Sequence, residues 1–143
     1  MKVSDIPKNL RDLLFVSDLI TRKVAPRFDM SYWGNARGED RAICGTSHCA
    51  AGWAAIHGVA GLGLSWRPSS KRAMLTLHGA DSFGIRDSFG VAAKAFNISH
   101  TQSERIFGST ENGQNFVRDR IRKLVHELYP GAVDAWLASS AMG

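Results

Sequence analysis

From about Ser4 to Lys23 the apolar positions Leu10, Leu13, Leu14, Leu19 and Ile20 recur at helical spacing among Lys8, Arg11, Asp12 and Arg22. The pattern predicts an amphipathic helix that stops before Pro26, because proline has no amide donor and restricts the residue before it. Residues Arg27 to Ile43 begin with Phe28, Met30, Tyr32 and Trp33 and continue through the polar, glycine-rich run Gly34 to Asp40. That run has turn chemistry and no period, so it reads as a loop whose aromatic residues anchor its base.

A second helix is expected from about Ser47 to Val59. Thr46 or Ser47 can cap its start, and the alanines that follow favour helix. Cys49, Ala50, Gly52, Ala54 and Ala55 keep it thin, so neighbouring helices can come close beside Trp53, and the helix is expected to be the central one. Between Gly61 and Arg86 two readings compete. Leu62, Leu64 and Trp66 alternate, as do Leu75 and Leu77, which suits two short strands; Ser70 could equally cap a short helix through Lys71 to Leu75. Loop plus short helix is the preferred reading and a small hairpin the alternative.

Helical signal returns from Ser88 in Val91, Ala92, Ala95 and Phe96 and ends at Asn97, a residue that tolerates the left-handed conformation. Ser99 and Gln102 then fit a capping box that opens a short helix to Phe107, closed by Gly108. Thr110 or Asn112 opens a longer helix with a stripe of Val117, Ile121, Leu124, Val125 and Leu128 that ends at Tyr129-Pro130-Gly131. A terminal helix, Ala132 to Ala138, would dock through Val133, Trp136 and Leu137.

These elements predict a compact all-α single domain over residues 1–143. It has five or six helices packed on the Gly52-containing helix, with one small β-hairpin as the alternative for the middle of the chain. A length of 143 residues and a hydrophobic content of 44% suit one core. No internal repeat or low-complexity tract interrupts it.

The chain carries 18 Lys and Arg against 13 Asp and Glu, a formal charge of +5. This favours contact with nucleic acid or anionic surfaces through counterion release, though many solvated proteins carry as much. No window approaches the ~18 uninterrupted apolar residues of a membrane span, and the N-terminus lacks the apolar core of a secretory signal. A soluble cytoplasmic chain is expected. The two cysteines are too few for a disulfide scaffold.

Three constellations invite chemistry. Cys44, His48 and Cys49, with His57 two helical turns on, would be the ligand set if a metal were bound. Zinc normally takes two well-separated ligand pairs, so small packed cysteines and a solvated histidine account for the cluster as simply, and no metal or other cofactor is expected. Cys49, near a helix N-terminus, is also a candidate thiolate nucleophile. Consecutive helical residues diverge by about 100°, so His48 cannot readily serve as its base. The stretch Val91 to Phe107 resembles a DNA-binding helix-turn-helix. Ala93 takes the small position, Asn97 the turn, and Thr101, Gln102 and Arg105 are placed to read bases; Ser103 departs from the branched aliphatic such motifs bury there. An ordinary helical corner is the plainer reading. Phosphate-binding loops and paired catalytic carboxylates are not apparent.

The run Cys44-Gly45-Thr46-Ser47-His48-Cys49-Ala50-Ala51-Gly52-Trp53-Ala54, preceded by Phe28 to Trp33, resembles a group of small uncharacterised bacterial and bacteriophage proteins. These share a Cys-Gly-Thr-x-x-Cys-x-Ala-Gly-Trp-Ala motif; Ala95 to Ile98 and Glu104 to Phe107 are similar to their later helix-turn-helix part. The resemblance covers about half the chain and implies a phage or accessory-gene origin and no activity. The expected function is that of a non-enzymatic protein that docks on, and modulates or inhibits, a host protein or nucleoprotein complex. Its expected contacts are Trp33, Arg37, Trp66, Arg67, Lys71, Arg72, and the basic helix face of Arg118, Arg122 and Lys123, where Asp119 and Lys123 can pair. Helix-turn-helix DNA binding and a thiol or zinc enzyme are the alternatives.

Overall fold

Helix α1, Lys8–Leu19, starts from Pro7, whose carbonyl accepts from the amides of Leu10 and Arg11 at 3.0 Å each. A proline is cheap at this position, since the first amides of a helix have no acceptor within it. A 3₁₀ turn, Val3–Asp5, precedes the helix. The computed structural model describes residues 1–21, 50–67, 72–78, 88–107 and 114–142. After α1 come α2 (Ala50–Ile56), a 3₁₀ turn (Val59–Gly61), β1 (Leu62–Arg67), β2 (Arg72–Leu77), α3 (Ser88–Phe96), α4 (His100–Phe107), α5 (Gln114–Leu128) and α6 (Ala132–Met142). The chain is thus mostly helical, with six α-helices and one two-stranded antiparallel sheet among the described residues, as the helical pattern and the hairpin alternative anticipated.

The centre of the domain is α1. Leu10, Leu13, Leu14, Val16, Ser17, Leu19 and Ile20 are all buried, an arc wider than half the helix circumference. This helix touches α2, α3, α5 and α6. The expectation that the Gly52 helix is central is therefore corrected: α2 lies against α1 and the hairpin. Its small residues Ala50, Ala51, Gly52, Ala54 and Ala55 are buried as expected, but a thin helix allows close approach without offering much surface to many neighbours.

The preferred reading of residues 61–86 is also corrected where the structure describes it. Residues 72–77 form a strand paired with 62–67, in the register Leu62↔Leu77, Leu64↔Leu75, Trp66↔Ala73 and Arg67↔Arg72. Alternation on a strand puts Leu62, Leu75 and Leu77 on one face. Leu62 and Leu75 on that face are buried, with β1 against α2 and β2 against α2 and α3. Burying that face outweighs the local helix preference of Lys71 to Leu75. At the inner end the His78 amide donates to the Gly61 carbonyl at 2.7 Å. Gly61 has φ +80°, and a Cβ there would lie 2.4 Å from the His78 ring, so the closure requires glycine.

The corner between α3 and α4 follows its sequence signals closely. Asn97 adopts φ +51°, and the Ile98 amide reaches back to the Ala93 carbonyl at 3.0 Å. The capping box is present in both directions: the Gln102 amide donates to Ser99 Oγ at 3.0 Å and the Ser99 amide to Gln102 Oε1 at 2.8 Å. Phe96 and Phe107 meet across the corner with ring centres 5.7 Å apart. On α5, Val117, Ile121, Leu124 and Val125 are buried, while Leu128, expected in the same stripe, is 42% exposed. Helix α6 runs to Met142 rather than Ala138; Val133 and Trp136 pack on the core, and Leu137 is exposed. The loop from Trp33 to Asp40 and the caps expected at Thr46, Ser47, Gly108, Thr110 and Asn112 lie outside the described residues.

Candidate docking surface

On α5 the expected basic face is largely spoken for within the fold. Arg122 Nη2 lies 3.2 Å from Asp18 Oδ1 on α1, and the second oxygen of that carboxylate accepts from Trp136 Nε1 on α6 at 2.9 Å. One acid thus joins three helices, and Arg122 is chiefly a positioning residue of the core rim. Arg118 Nε pairs with Asp119 Oδ1 at 2.9 Å, so Asp119 takes Arg118 and not Lys123 as anticipated. Lys123 is exposed, and after the hydrogen bond from Arg105 its charge helps hold the carboxyl of Glu127, one turn on, below its ordinary range.

The helix-turn-helix candidates are placed on a real corner, but their polar groups are engaged. Gln102 serves the capping box, and Arg105 makes two parallel bonds to Glu127 of α5, at 2.7 and 3.0 Å. The hydrogen bond from Arg105, with the attraction of its charge, holds the Glu127 carboxyl below its ordinary range, and the same bond raises the guanidinium. His100 Nδ1 lies 2.8 Å from Glu104 Oε1. With Glu104 beside His100 and Glu127 beside Arg105, this face presents no strong positive field to a phosphate backbone. Thr101 is exposed. The departure at Ser103 has a local cause: its buried hydroxyl donates to the Phe89 carbonyl at 2.8 Å, a bond a branched aliphatic could not make.

Of the alternative metal set, Cys44, His48 and Cys49 lie outside the described residues, as do Trp33, Arg37 and Lys71. His57 is exposed just beyond α2. Among the described residues no three His, Cys, Asp or Glu side chains gather as metal ligands would, and no helix is long and apolar enough to cross a membrane.

The hairpin register sets Trp66 opposite Ala73 and Arg67 opposite Arg72. The sequence of this part of the chain is one-sided in charge. From Arg41 to Ala80 the chain contains no Asp or Glu, so α2 and the hairpin carry no acid of their own. By contrast, the helical acids Asp12, Asp18, Glu104, Asp119 and Glu127 each hold a basic side chain: Lys8, Arg122, His100, Arg118 and Arg105.

Sequence reasoning missed Asp18 and Glu127. Asp18 carried one signal: an acid in the last turn of α1 opposes the helix dipole and needs a partner to be comfortable there. Glu127 carried none, because its partner is set by the packing of α4 on α5. No protein-family model matches this chain, and neither curated proteins nor solved structures yield a match.

Proposed function

We propose that this chain is a non-enzymatic, phage-type binding protein that docks on a host protein or nucleoprotein complex, with the outer end of the hairpin as its principal contact. The observation that carries the reading is the Arg67↔Arg72 rung in an acid-free part of the chain. Two arginines paired in register, in a stretch of sequence without Asp or Glu, suit a partner carrying negative charge. Lys123 on α5 is a secondary contact, being exposed. Arg122, held by Asp18, moves from the contact surface to the support of the fold, while Arg118, paired only with its neighbour Asp119, stays a candidate contact.

The test is a tagged pull-down from host lysate, split into nuclease-treated and untreated halves, with wild type, Arg72→Glu and Arg122→Glu in parallel. Arg72→Glu makes the last rung oppositely charged, so it should keep or raise thermal stability and lose the retained complex. Retention of the same complex by Arg72→Glu at wild-type level would remove the hairpin from the interface.

A further inference from the structure

We infer that one flank of α5 takes a single-stranded nucleic acid, with a base stacked on Phe116 and the phosphates met by Lys123 and Arg120; this rests on the docking reading above and names what its α5 contact binds. Phe116 is 64% exposed, while its neighbours Val117 and Ile121 are fully covered. A helix turns about 100° per residue, so positions 116, 120 and 123 share one stripe, with the cations about 6 and 10 Å along the axis from the ring. Lys123 is exposed. Arg120 is half-buried, and its Nε and Nη2 are buried with no hydrogen-bond partner among the described residues. Buried donors without an acceptor are costly, and an anion beside them lowers that cost. Of the two acids on α5, Asp119 accepts from Arg118 and Glu127 from Arg105, so neither stands unpaired to repel a phosphate. The whole chain adds a long-range field of +5.

The exposed ring decides between anionic partners. An acidic protein surface offers carboxylates to the two cations and leaves the aromatic face unused. Duplex DNA offers phosphates, but its base faces are stacked inside the helix. A single strand presents both at every nucleotide, a phosphate and an open base face. Binding of this kind tolerates any base, because every base has a π-face, and it weakens with salt. Each phosphate contacted on a single strand gives a slope of about −0.7 in log affinity against log salt, and that is the share expected of Lys123.

The experiment measures binding of the full chain to a labelled oligo-dT single strand by fluorescence anisotropy, between about 50 and 200 mM salt. The same strand annealed to oligo-dA and poly-glutamate are the other probes. Wild type should prefer the single strand. Phe116→Ala should weaken that binding at least about five-fold at every salt concentration with the slope unchanged, and Phe116→Trp should retain it. Lys123→Ala should flatten the slope by about 0.7. Phe15→Ala, which removes an exposed aromatic ring on α1, should leave affinity and slope as they are. Circular dichroism of each variant establishes that the fold is retained. Unchanged affinity in folded Phe116→Ala overturns the inference, as does equal or tighter binding of the duplex or of poly-glutamate. A dimer seen by sedimentation that Phe116→Ala dissolves, with no oligonucleotide bound, gives the face to a second copy of the chain and overturns it too. Should the pull-down depend on Arg72 while the oligonucleotide is not bound, the docking reading stands and this inference falls. Oligonucleotide binding through Phe116 beside a pull-down indifferent to Arg72 upholds the inference and removes the hairpin. If neither is seen, both fall.

Discussion

Replacing Asp18 with alanine tests how the helices are held together. The carboxylate serves Arg122 on α5 and Trp136 on α6, with side-chain exposures of 14% for Asp18 and 23% for Arg122. A hydrogen bond to a charged group contributes roughly 1.5–3 kcal/mol when shielded, and partial exposure places the Arg122 contact at the low end. Leaving the Trp136 indole N–H without its acceptor adds about 1 kcal/mol. The expected loss is about 2.5 kcal/mol, which in a chain of this length corresponds to a fall in Tm of about 10 °C. Arg122 makes the loss harder to absorb, since its Nε is already buried without an acceptor among the described residues.

Asp18→Asn should recover less than half of that loss, because one of its two terminal atoms is then a donor facing another donor. A double-mutant cycle with Trp136→Phe isolates the α1–α6 bond and should return a coupling of about 1 kcal/mol. Amide exchange followed by mass spectrometry should show α6 losing protection before α5. A fall in Tm of under about 3 °C for Asp18→Ala, or strict additivity with Trp136→Phe, would refute the argument that this acid ties three helices.

Three further outcomes follow from the same geometry. Arg122→Glu sets two acids against each other at a half-buried place and should cost about 2 kcal/mol or more in chemical denaturation, while Lys123→Glu on the exposed face should stay within about 0.5 kcal/mol. Ser103→Ala should cost about 1 kcal/mol through its bond to Phe89, and Ser103→Leu about 1–3 kcal/mol through overpacking; equal stability of the leucine variant would show room that the buried serine does not suggest. Glu127 is held below its ordinary range by Arg105, so its contribution is complete at neutral pH and is lost as pH falls through the lowered value. Thermal melts between about pH 5 and pH 3 should therefore fall more steeply in wild type than in Arg105→Gln, with the difference shrinking at high salt because the pair is exposed.

The helices and their punctuation were legible because they depend on groups close in sequence. Asn97 in the left-handed region, the reciprocal bonds of Ser99 and Gln102, and the stripe of Val117, Ile121, Leu124 and Val125 all follow from contacts within a turn or two. Residues 72–77 show where local preference lost. Lys71 to Leu75 can form a helix, yet the alternating face is buried by α2 and α3, elements whose arrival no short window reports.

The candidate surface divides along the same line. By itself the sequence determined an all-α domain, its helix boundaries where caps are strong, the excess of positive charge and the presence of Arg67, Arg72, Arg105 and Arg122. Only the tertiary structure decided which of those cations are engaged. Arg122 meets Asp18 across 104 positions and Arg105 meets Glu127 across 22. Packing likewise made α1 the centre in place of the glycine-bearing helix, because it buries more than half its circumference while α2 has little side chain to share. The physical reason is common to all these cases. Backbone hydrogen bonds are satisfied by near neighbours, but a charged side chain is defined by whatever the fold places beside it.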